Sequence, residues 1–202
     1  MAQILLNSQG SKRQTHRARL GMLAPADDHL GLGFTWHSFS VEALLAPRTN
    51  GSSVLVDQRV FTFLLNHEVH KAIRLQYCFS ILCLTPDFPP RYADLTFANQ
   101  MAKVAISHLR TTDVASILPP SSVALLLVDA EARNLPAILQ RLKEALEPLS
   151  LSVKGGEGGV TLSAGGGSYP QTATSGSELL RQAIDLMTQA KAEGGNRLHL
   201  PP

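Results

Sequence analysis

The chain has 202 residues, of which 18 are Lys or Arg and 16 are Asp or Glu, so its formal net charge is only +2. This balance argues against a dedicated nucleic-acid-binding protein, and 44% hydrophobic with 17% charged residues excludes a wholly disordered chain. No apolar run reaches the ~18 residues of a membrane-spanning helix, and the first residues lack a secretory pattern, so we expect a cytoplasmic protein.

Residues 1–53 lack sustained hydrophobic periodicity and end in the turn-rich stretch 49–53. We therefore predict an irregular extension and linker over 1–53, followed by one domain over 54–202. Residues 12–19 are basic and contain no acid, which is typical of a solvated tail or of a segment that binds an acidic surface. Trp36 lies in an aromatic cluster, 34–39, that favours either docking on the main domain or contact with a protein partner.

Apolar residues at helical spacing predict four helices after residue 54. In the first two, Leu75 and His108 are placed on the apolar faces, and Pro148 is expected to end the third. Ser175 and Glu178 form a capping box at the start of the fourth. The predicted helices cover 59–76, 97–109, 131–147 and 175–192.

Short apolar runs bounded by turn residues predict five strands. Two of them meet at the proline-containing turn 119–122, which indicates a hairpin. The alternation of these strands with helices predicts a mixed sheet flanked by helices, an α+β fold. The predicted strands cover 79–84, 113–118, 123–128, 160–164 and 197–200.

Several strings, in their order and spacing, resemble the GGDEF family of diguanylate cyclases. Residues 160–165 (VTLSAG), 177–180 (SELL) and 190–197 (AKAEGGNR) resemble the end of the family's domain. Residues 65–84 resemble its first helix and first strand. The resemblance covers roughly residues 55–200 and implies the nucleotidyl cyclase-like fold and a place in bacterial second-messenger signalling.

The residues with which the family cyclises GTP have no match in this sequence. The string PPSSV, Pro119 to Val123, stands where the family has its GGDEF turn, so both the metal-binding carboxylates and the glycines are missing. Thr85 stands in place of the metal-binding aspartate at the end of the first strand, and Gly195 in place of a phosphate-binding arginine. Lys191 does match a phosphate-contacting lysine of the family. We therefore expect a protein that is not an enzyme and that needs no metal or cofactor.

A second site of the family matches better. Many cyclases have an RxxD motif six residues before the glycine turn, where the product cyclic di-GMP binds and inhibits. Arg110 and Asp113 have that motif at that spacing, and Arg141 matches a supporting arginine on the following helix. Arginine can bind guanine or phosphate through two hydrogen bonds, and a carboxylate can accept from guanine N–H groups. The alternative is structural: Arg110 as a cation at a helix end, Asp113 as a partnered strand carboxylate and Arg141 as a solvated residue.

The sequence thus predicts a catalytically inactive GGDEF-like domain that binds cyclic di-GMP through Arg110, Asp113 and Arg141. We expect it to signal to a protein partner, with residues 1–53 as the output surface, and we expect neither nucleic-acid binding nor insertion into a membrane. The alternative is a nucleotide-independent pseudo-enzyme scaffold that works through protein contacts or dimerisation.

Overall fold

In a computed structural model, the structure describes residues 54–87, 95–153 and 161–202. The predicted extension over 1–53, with its basic and aromatic clusters, lies outside the described residues. Within them, no helix is both long enough and apolar enough to cross a membrane. The strands are β1 (Val54–Val56), β2 (Phe79–Pro86), β3 (Val114–Leu118), β4 (Ser122–Val128), β5 (Leu162–Tyr169) and β6 (Leu198–His199). The helices are α1 (Gln58–Leu75), α2 (Leu95–Ser107), α3 (Leu135–Val153) and α4 (Gly176–Ala192), with a 3-10 turn at Ala132–Asn134.

The six strands form one mixed sheet in the order β1-β3-β4-β2-β5-β6. The central strand β2 is antiparallel to β4 and β5, while β1 and β6 pair in parallel with β3 and β5. In the β2–β4 register Phe79 faces Val128 and Leu84 faces Val123. The β3–β4 turn therefore lies at the end of β2, and the loop after β4 lies at its beginning. The predicted α+β fold, the central strand and the hairpin are confirmed.

Every residue of β2 is buried, because helices cover both faces of the sheet. On one face Leu82 and Leu84 pack with residues of α2 and α3. On the other face Ile81 and Cys83 pack with residues of α1 and α4. The alternation of side chains along the strand thus divides the core into two layers on opposite sides of one sheet.

Strand β5 is longer than predicted, because it continues beyond Ala164 through three glycines to Tyr169. Gly165 lets α4 lie directly on the strand, and Gly166 faces Leu135 of α3 on the other side of the sheet. A Cβ added to Gly165 would lie 2.2 Å from the Ala183 carbonyl oxygen and 2.2 Å from the Met187 backbone nitrogen. The run of glycine is therefore a packing feature of the strand.

Two details of the predicted helices are wrong. Leu75 does not lie on the buried face of α1 and is 62% exposed, because that face consists of residues such as Phe61, Leu65 and Ala72. Helix α3 continues through Pro148 to Val153. Pro148 has no N–H to donate to the carbonyl of Glu144, but both residues are exposed, so water can take that bond.

The start of α4 agrees with the predicted cap in one of its two bonds. The Ser175 hydroxyl accepts from the backbone N–H of Glu178 at 3.2 Å, which satisfies a free donor of the first turn. The Glu178 carboxylate, however, accepts from the backbone N–H and the hydroxyl of Thr174 rather than from the Ser175 backbone. The N-cap is confirmed, and the reciprocal bond is displaced by one residue.

Candidate functional site

A cavity of about 430 Å³ lies at the beginning of β2, between the loop after α2, the end of β4 and the start of α3. It brings Arg110 and Asp113, which are three residues apart in sequence, together with Arg141, which follows them after the β3–β4 hairpin. We call this space the arginine cavity. Its lining consists of His108, Leu109, Arg110, Asp113, Leu127, Val128, Asp129, Ala130, Asn134, Ala137, Ile138 and Arg141.

Asp113 forms the base of the arginine cavity and is only 4% exposed. Its Oδ2 accepts from the backbone N–H of Arg110 at 2.9 Å, and its Oδ1 accepts from that of Val128 at 3.1 Å. Burial raises the pKa of this carboxyl, while the two backbone N–H groups and the charge of Arg110 oppose the rise. The carboxylate therefore fixes the turn 110–113 and ties it to β4, and each oxygen keeps a lone pair for a further donor.

The two arginines of the arginine cavity are exposed. Among the described residues, no hydrogen bond or ion pair engages either guanidinium group. Arg141 lies one helical turn after Ala137 and Ile138, so α3 presents all three on its cavity side. Two permanently charged guanidinium groups are thus available to bind an anionic or guanine-containing ligand.

Sequence reasoning missed three polar residues of the arginine cavity, namely His108, Asp129 and Asn134. The predicted packing of His108 is wrong: α2 ends at Ser107, so the imidazole lies outside the helix and is exposed. Its Nδ1–H donates to the Val104 carbonyl at 3.0 Å, which leaves Nε2 as an acceptor in the neutral ring. Asp129, in the left-handed backbone region at φ 53°, follows the apolar run of β4, and that position is the only sequence signal for it.

The opposite end of the sheet is where the family resemblance places the cyclase turn. We call it the hairpin end: it consists of Thr85–Asp87, the turn 119–121 and the loop 193–197. Thr85 is buried, and Pro119 and Pro120 form the exposed turn. Asp87, which sequence reasoning missed, accepts from the Ser163 hydroxyl and from the Asn196 backbone N–H at 2.8 Å.

Two lysines on the helices beside the hairpin end also have internal partners. Lys191 donates to the Pro86 carbonyl at 2.8 Å, and Lys143 donates to the Asn196 side chain at 2.8 Å. Burial lowers the pKa of Lys143, against the opposing charge of Asp87. A Cβ added to Gly195 would lie 2.7 Å from the Asp87 Cγ, so the carboxylate fills the space beside that glycine. Within the described ranges, no three His, Cys, Asp or Glu residues are grouped to hold a metal ion.

Comparison with known proteins identifies the fold. A family model described as "Diguanylate cyclase, GGDEF domain" matches residues 53–197, which is more than half of the chain. No curated protein matches the chain by sequence.

Among solved structures, the GGDEF domain of YfiN (TpbB) from Pseudomonas aeruginosa has a TM-score of 0.64 and 19% identity, covering 73% of this chain and 97% of that one. SiaD from P. aeruginosa, a diguanylate cyclase in complex with its activator SiaC, has a TM-score of 0.62 and 20% identity, covering 72% and 58%. The coiled coil and GGDEF domain of DgcB from Caulobacter crescentus, in complex with cyclic di-GMP, has a TM-score of 0.61 and 16% identity, covering 73% and 82%. At these identities the likeness is one of fold.

Proposed function

The chain belongs to the GGDEF domain family of diguanylate cyclases, and on that premise we propose that it is a catalytically inactive member that binds cyclic di-GMP in the arginine cavity and signals to a protein partner. The observation that carries the proposal is the meeting of Arg110, Asp113 and Arg141 in one cavity. A cyclic dinucleotide has two phosphates, and the two unpaired guanidinium groups match that charge.

The residues take different parts in this proposal. Arg110 and Arg141 contact the ligand, each able to form two parallel hydrogen bonds to a phosphate or to the N7 and O6 atoms of guanine. Asp113 positions Arg110, because its carboxylate accepts from that residue's own backbone N–H, and its remaining lone pairs can accept from guanine. The DgcB structure contains cyclic di-GMP in a domain of the same fold, which supports this choice of ligand.

The proposed loss of catalysis rests on the hairpin end. Cyclisation of GTP needs carboxylates for Mg²⁺ and backbone N–H groups near the phosphates. Pro119 and Pro120 have no N–H to offer, and the carboxylate of Asp87 already accepts two internal hydrogen bonds. Output to a protein partner through residues 1–53 completes the proposal, and SiaD with its activator SiaC is a protein of this fold that has a protein partner.

A second candidate is a nucleotide-independent scaffold that acts through protein contacts or dimerisation. Large apolar side chains exposed on α1 favour it, because such residues serve as anchors in interfaces. They are Phe63, Ile73 and Leu75, which are 69%, 55% and 62% exposed.

Calorimetric titration of cyclic di-GMP into the full chain separates the two candidates. We expect binding near micromolar concentration to the wild type, its loss in Arg110→Ala, and no turnover of GTP with Mg²⁺. A wild type that releases no heat with cyclic di-GMP would reject the receptor and leave the scaffold. Turnover of GTP would reject the proposed inactivity.

A further inference from the structure

A second concave surface lies beside the arginine cavity, on the α1 and α4 side of the sheet. It is an open groove of about 680 Å³ between the end of α1, the start of β2 and the loops that follow β4 and β5. We call it the carboxylate groove. Its lining consists of Ala72, Ile73, Gln76, Tyr77, Cys78, Asp129, Glu131, Tyr169, Pro170 and Gln171.

The groove has an apolar floor with one exposed anchor point. Tyr169 is buried and stacks on Phe79 with ring centroids 5.2 Å apart, so this wall is rigid. Ile73 is 55% exposed at the rim. The hydroxyl of Tyr77 donates to the buried Glu68, which fixes the ring at the junction of α1 and β2. A side chain that covered Ile73 and Tyr77 would remove apolar surface from water.

The charge of the groove is of one sign. Its two charged residues are acidic, and none of its lining residues is Lys, Arg or His. Glu131 is paired with the exposed Arg133 at 2.8 Å, whereas no described residue pairs with the carboxylate of Asp129. Burial is the larger cause that raises the pKa of the Cys78 thiol, and the charges of Glu131 and Asp129 raise it further, while the charge of Arg133 opposes them.

We infer that the carboxylate groove is a docking site for a partner-protein segment that carries a lysine or arginine beside an apolar side chain. The apolar side chain would cover Ile73 and Tyr77, and the cation would pair with Asp129. A symmetric contact with a second copy is disfavoured, because it would place Asp129 opposite the same acid. Asp129 also lines the arginine cavity, so this site adjoins the proposed ligand site but does not depend on it.

Binding of a defined peptide to the full chain tests this inference. The probe is a fluorescein-labelled octapeptide, Gly-Ser-Leu-Arg-Leu-Arg-Ser-Gly, and the matched probe has glutamate in place of both arginines. Fluorescence anisotropy should show that the wild type binds the arginine peptide at least about tenfold more tightly than the glutamate peptide. Equal affinity for the two peptides, or no binding of the arginine peptide, would overturn the inference.

Two lysine substitutions on α1 locate the site. Ile73→Lys puts a cation in the groove and should weaken binding of the arginine peptide about tenfold or more. Phe63→Lys puts the same charge on the same helix, at a 69% exposed residue outside the groove, and should change the affinity less than about twofold. Equal weakening by the two variants would mean non-specific charge attraction and would overturn the inference.

The reactivity of the Cys78 thiol shows whether the peptide binds in the groove, because Cys78 is one of its lining residues. Cys83 is fully buried with a pKa raised to about 12, so in the native protein an alkylating reagent should modify Cys78 alone. Saturating arginine peptide should slow alkylation of Cys78 by iodoacetamide, followed by intact-protein mass spectrometry. An unchanged rate at saturating peptide would place the peptide elsewhere and overturn the inference.

Discussion

The two ends of the central strand β2 differ in what their polar groups contact. At the hairpin end Asp87 bonds to other parts of the chain, and so do Lys143 and Lys191 on the helices beside it. At the other end Arg110 and Arg141 border an open cavity, and neither guanidinium has a partner among the described residues. Both ends belong to one sheet, so the difference comes from the side chains that the loops and helices place at each end.

This comparison indicates where the molecule can bind a charged ligand. Turning Asp87, Lys143 or Lys191 toward a ligand would break internal hydrogen bonds that join distant parts of the chain, which costs free energy. An unpaired, solvated guanidinium next to a preformed cavity has no such internal bonds to lose. We therefore propose a structural role for the hairpin end and a binding role for the arginine cavity.

The largest expected effect is the loss of ligand binding when both guanidinium groups are removed. Each charge-assisted hydrogen bond contributes about 1.5–3 kcal/mol, so Arg110→Ala with Arg141→Ala should weaken cyclic di-GMP at least about 100-fold. Arg133→Ala, an exposed arginine near the cavity but not in its lining, is the control and should change the affinity less than about twofold. Calorimetry measures all three proteins. Comparable losses in the control and the double variant would contradict the assignment.

Substitution at the hairpin end should change stability and leave binding unchanged. Asp87→Ala removes the acceptor for Ser163 and Asn196 and should lower the free energy of unfolding by about 1–3 kcal/mol. Asp185→Ala removes only an exposed ion pair with Arg181 on α4 and should cost about 0.5 kcal/mol or less. Urea unfolding gives both values. If Asp87→Ala instead weakened the binding of cyclic di-GMP without a loss of stability, the hairpin end would be the binding site and the comparison of the two ends would be wrong.

A smaller, pH-dependent effect is expected at Asp113. Asn can replace only one acceptor oxygen, so Asp113→Asn should cost about 1 kcal/mol of unfolding free energy. Burial raises the pKa of Asp113 in the folded state, so the wild type loses stability as the pH rises from the unfolded value of about 3.9 through the folded pKa. The asparagine variant does not titrate there. The free energy of unfolding of the wild type should therefore exceed that of the variant by a larger amount near pH 4 than at pH 7.

Urea unfolding of the wild type and Asp113→Asn at the two pH values measures this difference directly. If the difference in unfolding free energy instead grew toward pH 7, the folded state would favour the ionised carboxylate. That result would contradict the raised pKa of Asp113.

The smallest effect concerns the reactivity of two thiols, that of Cys83 within β2 and that of Cys78 directly before the strand. Cys78, half-buried at the cavity end, should react slowly with a thiol reagent at pH 8, because burial raises its pKa. Cys83, buried in the strand with a pKa of about 12, should react only after unfolding. A colorimetric thiol assay should therefore find one reactive thiol per native chain and none in Cys78→Ser. Two native thiols would mean that the strand opens more readily than its packing implies.

The sequence was sufficient for the fold and for the three residues of the arginine cavity, for different reasons. Apolar periodicity depends only on which residues a sheet and its helices bury, so it located α1 to α4, β2 and the hairpin. Arg110 and Asp113 were found through the RxxD motif of the family that the sequence resembles, and Arg141 through its match to a supporting arginine of that family. The structure brings all three to one cavity, and their binding of a ligand stays a prediction.

Other features depend on local packing that periodicity does not record. His108 lines the cavity because α2 ends at Ser107, one residue before it. Asp129 lines the cavity at a single residue whose backbone is in the left-handed region. The glycines after Ala164 are in close contact with α4 at Gly165 and with Leu135 of α3 at Gly166, and such contacts between distant segments leave no local sequence pattern. The hydrogen bonds of Asp87 join it to Ser163 and Asn196, which are 76 and 109 residues away in sequence. No local sequence pattern indicates such contacts.

Hydrogen–deuterium exchange of the full chain, read by mass spectrometry with and without saturating cyclic di-GMP, tests the central comparison most directly. Ligand in the arginine cavity should slow exchange in peptides from 108–113 and 128–141, and leave peptides from 85–87 and 119–122 unchanged. Slowed exchange at the hairpin end, with none around Arg110 and Arg141, would contradict the account and return the binding site to the cyclase turn.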